Sequence, residues 1–288
     1  MGASRLKSII KDLVPPLLWR AMRPTPVARP DPVAPAPAVH VLSGGPLKGA
    51  RLLVDTSREA FREMVAGAFD GPIWTALPTP PQHGLVLDIG AHIGYHSLAF
   101  SSRYPAAQVV AFEPNPANRQ RLQANLDLNP ALASRVRLMA CALGDTNGSL
   151  RFNTSDNVDD ETSSGGYLES VDPPLEQAIY ARSGFRTMEV PVRRLDDLAE
   201  EQRWDRVALM KIDVEGAEQL VLEGAGAILR RDHPFLCIEV HSVACMSAVD
   251  RILLPLGYSI RVLDGHSPGR AHIVATAEGA PRQDGARG

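Results

Sequence analysis

Four side chains able to move protons or hold a cation fall at the ends of two apolar runs. Asp213 and Glu215 lie in "KIDVEG", and Glu239 and His241 in "IEVH". A third apolar run, Leu85–Ile89, carries Asp88 and ends at Gly90; three residues then separate Gly90 from Gly94, and a stretch with helical spacing follows. A buried strand that ends in a glycine turn and feeds a helix directs backbone N–H groups at whatever lies above it, a common seat for a nucleotide-like ligand.

The spacing narrows the ligand. A dinucleotide fingerprint needs G-x-G-x-x-G, and His92 stands where its middle glycine would let the backbone approach a pyrophosphate. Phosphate-loop spacing is also absent. Glu113, 25 residues after Asp88, closes the next apolar run in "AFEP". A carboxylate there can accept hydrogen bonds from two ribose hydroxyls, each contributing roughly 1.5–3 kcal/mol. Strand, D-x-G-x-x-x-G, strand and terminal glutamate is the layout of an S-adenosyl-L-methionine site.

These residues need a scaffold, and the flanking pattern supplies one. Strands are predicted over Leu85–Ile89, Gln108–Glu113, Val136–Ala142, Val207–Asp213 and Phe235–Val240. Helices are predicted over Tyr95–Arg103, Pro116–Leu128, the stripe Ala217, Leu220, Val221, Ala225, Ile228 and Leu229, and Met246–Leu254. Ser259–Leu263 and Ile273–Thr276 read as a closing pair. The alternation implies an α/β fold: a doubly wound, mostly parallel Rossmann-like sheet with helices on both faces and a closing antiparallel strand. This domain is expected over residues 85–277, behind an N-terminal cap at 39–84, with a disordered tail at 278–288.

Residues 1–23 are set apart. Leu6, Ile9, Ile10, Leu13, Val14, Leu17 and Leu18 fall at helical spacing among Arg5, Lys7, Lys11, Arg20 and Arg23. A basic amphipathic stretch of this kind suits an anionic membrane surface, so residues 5–23 are a candidate peripheral contact; packing on the protein's own domain is the alternative. Pro24 to Pro37 holds six prolines in fourteen residues, which makes 24–38 an extended linker. The net charge of -3 gives no nucleic-acid footprint. Three cysteines without CxxC spacing fit a reducing compartment, and a cytoplasmic location is expected. No run is long enough to span a bilayer.

The motifs "VLDIGAHIGYHSLAF", "VVAFEPNPANRQRLQANLDLN", "ALGDTNGSL", "VRRLDDL", "LMKIDVEGAEQLVLEGAGAIL" and "IEVH" resemble, in order, those of the FkbM family of S-adenosylmethionine-dependent O-methyltransferases. The resemblance runs from about Leu85 to Thr276. It implies a class I methyltransferase in which Asp88, Gly90, Ala91 and Gly94 line the methionine end of the cofactor. It also implies that Glu113 holds the ribose and that Ala142 and Asp145 approach the adenine. The family usually has asparagine where this chain has His92. Asp145, in "GDTNG", is equally good turn chemistry.

The resemblance further implies an acceptor hydroxyl, which must lose a proton as it is methylated. Asp213 or His241 is the candidate base, with Glu239 orienting one of them. Glu239 and His241 alternate along one strand and so point the same way. Asp213, Glu239 and His241 are ligand types suited to a divalent metal, but no spacing requires one, and a metal is not favoured. The polar segment 153–187, with Asp156, Asp159, Asp160 and Glu161, reads as a loop over the acceptor, where Ser163, Ser164 and Tyr167 are candidates for sugar hydroxyls. The expected acceptor is a small molecule or glycan with a free hydroxyl, a saccharide of a glycan or glycolipid precursor. The alternatives are a polyketide-type natural product, or a non-catalytic cofactor-binding scaffold in a glycan-assembly complex.

Overall fold

The structure is a computed structural model and describes residues 36–78, 84–155, 157–159, 166–168, 186–267 and 270–277. The expected anchor at 1–23, most of the 24–38 linker and the 278–288 tail lie outside the described residues, as do Asp156, Asp160, Glu161, Ser163 and Ser164.

The cap begins with the antiparallel pair β1 (Ala38–Val41) and β2 (Arg51–Val54), followed by α1 (Glu59–Ala66) and α2 (Gly71–Ala76). Two asparagines tie it to the domain: Asn125 accepts the Leu53 N–H at 2.7 Å, and Asn129 accepts the Arg51 N–H at 3.0 Å. These side chains satisfy backbone groups of β2 that no strand pairs on that side.

The domain then alternates as the apolar pattern predicts: β3 (Leu85–Ile89), α3 (Tyr95–Arg103), β4 (Gln108–Phe112), α4 (Pro116–Asp127), the short α5 (Pro130–Ala133) and β5 (Val136–Met139). Asn115 caps α4, its side chain accepting the Ala117 N–H at 2.9 Å. After an intervening segment come α6 (Leu195–Glu201), β10 (Val207–Ile212), α7 (Glu218–Glu223), α8 (Gly226–Asp232), β11 (Phe235–Val240) and α9 (Val243–Leu253). The chain closes with β12 (Tyr258–Ser267) and β13 (Arg270–Ala277).

The main sheet has seven strands in the order β12-β13-β11-β10-β3-β4-β5. Strands β5, β4, β3, β10 and β11 pair parallel, and β13 runs antiparallel to both its neighbours. Alternate residues face opposite layers. Leu87, Val110, Met210 and Leu236 pack toward α6, α8 and α9, while Val86, Val109, Leu209 and Cys237 pack under Phe100 of α3 and Tyr104 just after it. The chain builds β3, β4 and β5 outward in one direction and places β10 on the other side of β3. That reversal opens a crevice at the carboxyl ends of β3 and β10.

Four local expectations change. The strand expected over Val136–Ala142 stops at Met139; the chain bends at Cys141, and β6 (Ala142–Leu143) joins a second sheet. That sheet, ordered β6-β9-β7-β8, contains β7 (Gly148–Thr154), β8 (Tyr167–Leu168) and β9 (Arg186–Arg193), so three strands enter the segment read as loop. The stripe from Ala217 to Leu229 forms two helices, because Asp196 accepts the Ala227 and Ile228 N–H groups at 2.8 and 3.0 Å and starts α8 anew. Helix α9 begins three residues early, where Ser242 accepts the Cys245 N–H at 3.0 Å.

Candidate active site

A cavity of about 250 Å³ opens at the carboxyl ends of β3, β4, β10 and β11, on the scale of a small-molecule site. Gly90, Ala91, Glu113, Ala142, Asp213 and Glu239 line it. Asp88, Gly94 and His241 sit outside the lining. Asp145 is exposed in the turn between β6 and β7 and does not reach the cavity.

The turn after β3 is built by steric exclusion. Gly90 has φ +84°, and a Cβ there would meet the Asp213 carbonyl oxygen at 1.8 Å. Only glycine allows β3 and β10 to run on so closely at their tips. Gly94 has φ +85° and starts α3; its missing Cβ leaves room for Leu122, whose Cγ would be 2.9 Å away. The N–H groups of the turn are spent internally rather than aimed into the cavity: Gly90 and Ala91 donate to the Phe112 carbonyl at 3.1 and 2.9 Å, and Gly94 to the Ala91 carbonyl at 2.8 Å. The turn is thereby bolted to the tip of β4.

Glu113 completes that joint. Its Oε2 accepts the His92 N–H at 2.8 Å, and its Oε1 the Asn115 N–H at 2.8 Å. Burial pushes its carboxyl up to about 7, despite the opposing pull of those donors. Oε1 also accepts from the Asn118 side-chain amide at 3.4 Å, Oε2 keeps a second lone pair, and the residue borders the cavity. Such an acceptor suits a ribose hydroxyl, and the apolar neighbours Phe112, Cys141 and Leu143 form a wall beside it. These residues fit S-adenosylmethionine on geometry and chemistry. His92 stacks on Phe61 of α1 at 6.2 Å between ring centroids. Burial drives its pKa down to about 3, so its imidazole is neutral.

Beneath the turn lies a charged cluster. Asp88 is wholly buried, and its Oδ2 accepts the Ser97 hydroxyl at 2.5 Å. Lys211, on β10, points its ammonium between Asp213 Oδ2 at 3.1 Å, the Gly90 carbonyl at 3.1 Å and Asp88 Oδ1 at 3.7 Å. Burial lowers its pKa, yet the Asp213 and Asp88 carboxylates outweigh that effect and raise it overall. Burial works on Asp213 in the opposite sense; Lys211 and then His241 overcome it and hold the carboxyl well below its ordinary range.

His241 has a fully buried side chain. Its Nδ1 meets Glu218 Oε1 at 2.7 Å, and Glu218 Oε1 also accepts the Gly216 N–H at 2.9 Å. Its Nε2 lies 3.4 Å from Glu215, 3.5 Å from Glu239 and 3.7 Å from Asp213. Burial disfavours the imidazolium, but Glu215, Glu218 and Glu239 prevail and push its pKa up to about 10. An imidazole that already carries a proton cannot take one from an acceptor, which leaves the carboxylates for that task. Burial pushes Glu215 up to about 7, against His241 and against Arg270, whose Nη2 donates to it at 2.9 Å.

Lys211, Glu218 and Arg270 were not singled out in the sequence. A lysine within an otherwise apolar strand was the available signal for Lys211. Nothing local marks the other two. Of the residues expected near an acceptor, Tyr167 is buried in β8, and Asp159 is held by Arg121 through two bonds of 2.8 Å.

Comparison with known proteins identifies the family of this domain. The profile described as "Methyltransferase FkbM domain" matches residues 88–260. Methyltransferase sdnD of Sordaria araneosa is 34% identical over 159 residues, which cover 50% of this chain and 61% of that protein. The 2-O-methyltransferase NoeI of Sinorhizobium fredii is 30% identical over 149 residues, 51% of this chain and 59% of that one. The hexuronic acid methyltransferase AglP of Haloferax volcanii is 25% identical over 218 residues, 76% of this chain and 80% of that one. The chain thus spans about three fifths of the first two relatives.

Proposed function

The chain belongs to the FkbM methyltransferase family, and from that premise we propose that it transfers the methyl group of S-adenosylmethionine to a hydroxyl of a saccharide. The observation that carries this reading is Glu113, a buried carboxylate at the tip of β4 that borders the same cavity as the Gly90 turn and Asp213. The saccharide rests on AglP, whose name specifies a hexuronic acid and which aligns over most of both chains.

In this reading Glu113 accepts hydrogen bonds from the ribose, Gly90 and Ala91 shape the methionine end, and Ala142 borders the adenine. Asp88 and Gly94 support the turn from behind. When bound, S-adenosylmethionine supplies an electrophilic methyl group on a sulfonium. The protein's task is then orientation and exclusion of water, which can be worth on the order of 7–11 kcal/mol. Asp213 accepts the hydrogen bond of the acceptor hydroxyl and takes up its proton at the free carboxylate oxygen, since Lys211 occupies the other. Glu239 orients the acceptor from the neighbouring strand, and His241 stands beside both carboxylates.

The test is calorimetric titration of S-adenosylhomocysteine into the protein and its Glu113→Ala variant, followed by turnover on uronic acid and hexose glycans and on polyketide alcohols. Micromolar binding that weakens at least about tenfold in the variant, with methylation of a sugar, is the expected result. No binding by folded protein overturns the reading. Turnover on polyketide alcohols alone moves the acceptor class, and binding without turnover on any acceptor leaves a scaffold.

A further inference from the structure

We infer that Asp213, Glu239 and His241 form a binding site for a divalent metal ion at the edge of the cavity. The inference goes beyond methyl transfer and stands whether or not a methyl group is moved, because it rests on the surroundings of one buried nitrogen.

That nitrogen is His241 Nε2. The residue is 3% exposed, and Nε2 makes no hydrogen bond, although three carboxyl groups stand 3.4 to 3.7 Å away. The other ring nitrogen is accounted for. Glu218 Oε1 already accepts the Gly216 N–H, so it acts as an acceptor, and His241 Nδ1 must donate to it. A neutral His241 then turns the Nε2 lone pair toward carboxylates whose own partners are Lys211 at Asp213 and Arg270 at Glu215 and Glu239, an unfavourable contact. A protonated one has a buried N–H with no acceptor in bonding geometry. A cation that binds the Nε2 lone pair relieves the first arrangement; in the second it takes the place of the Nε2 proton, which is released to solvent.

The distances from His241 Nε2 suit such an ion, and the two carboxylate oxygens would draw together on it. Ligand atoms about 2.0–2.2 Å from a divalent ion stand roughly 3.0 Å apart across a right angle and roughly 3.5 Å apart at a tetrahedral one. His241 Nε2 lies 3.5 Å from Glu239 Oε1 and 3.7 Å from Asp213 Oδ1, and the three ligand atoms fall within 4.8 Å of one another. Glu218 supplies the outer partner that metal-binding histidines require, fixing the tautomer that presents Nε2. One imidazole and two carboxylates suit Mn²⁺ or Zn²⁺. Asp213 and Glu239 line the cavity, so an ion there would take the Asp213 oxygen otherwise free to accept a proton and would itself face a ligand oxygen from that side.

The experiment uses the full 288-residue chain, stripped with a chelator and titrated with Mn²⁺ by electron paramagnetic resonance and with Zn²⁺ by calorimetry. One ion per chain is expected, bound at least about tenfold more weakly after His241→Ala or Glu239→Gln, and about 10–100-fold more weakly after Glu218→Gln. Absence of binding by either ion, or binding that His241→Ala leaves unchanged, overturns the site. Should His241→Ala fail to fold, His241→Gln and Glu239→Gln decide the question. Titration of S-adenosylhomocysteine into the same samples separates the two readings: loss of nucleoside binding with metal binding intact removes the transferase, and the reverse removes the metal.

Discussion

Glu113 Oε2 accepts the backbone N–H of His92 at 2.8 Å, so a side chain at the tip of β4 holds the turn that leaves β3. The carboxylate is at once structural and exposed to the cavity. Its capacity for a ligand hydroxyl depends on pH, because the ionised form is the stronger acceptor.

In the ligand-free protein, burial raises the Glu113 carboxyl from its ordinary 4.5 to about 7. Between those values the folded chain holds a proton that the unfolded chain has released. The group therefore costs stability as pH rises through that window, and the cost is fully present above about 7. Binding of S-adenosylhomocysteine is predicted to expel the proton. Affinity should fall by up to about tenfold per pH unit below 7 and level off above it. Calorimetry in two buffers of different ionisation enthalpy measures the proton release directly. A Glu113→Gln variant should bind weakly with a flat profile; a sloping profile in that variant assigns the titration to another group.

His92 adopts φ +49°, a left-handed conformation in which asparagine, aspartate and histidine are over-represented. Its side chain meets Phe61 of the cap by stacking, and its N–H is the group that Glu113 holds. His92→Asn is therefore expected to fold and to bind S-adenosylhomocysteine within about threefold of the parent, while β-branched His92→Val loses about 1–2 kcal/mol. Thermal unfolding of the two variants checks this. Equal melting temperatures would mean that the backbone angle carries no strain.

The sequence exposes most of the frame and half of the site. Strands β3, β4, β10 and β11 are apolar on both faces because helices cover both, and such runs are legible without knowledge of the fold. The positions of Gly90 and Glu113 beside one cavity were equally plain, since both follow strand tips, whereas Asp88 lies buried behind the turn. The second sheet was hidden for physical reasons. Strands β6 and β8 are two residues each, and β9 sits between β6 and β7 yet carries Pro191, which has no N–H to give a ladder. His241, Asp213, Glu215 and Glu239 were legible as polar groups at strand ends, but the groups that hold them were not: Glu218 comes from the start of α7 and Arg270 from β13. Only the register of β10, β11 and β13 brings them together.

Lys211 is the member of the cluster whose removal should be felt most widely. Its ammonium is 5% exposed and stands between Asp213, Asp88 and the Gly90 carbonyl. Lys211→Met keeps the length of the side chain and deletes the charge, leaving Asp88 buried without a counter-ion. A loss of about 3–5 kcal/mol is expected, because an uncompensated buried charge costs more than the pair contributed. Asp88→Asn in the same chain should restore at least about 1 kcal/mol, as the stranded charge goes with it. S-adenosylhomocysteine affinity should fall in the single variant, since Lys211 also holds the Gly90 carbonyl at the turn. Denaturant unfolding of the two single variants and the double variant gives the coupling directly. Additive losses would show that Lys211 acts through Asp213 and the turn alone, and not through Asp88.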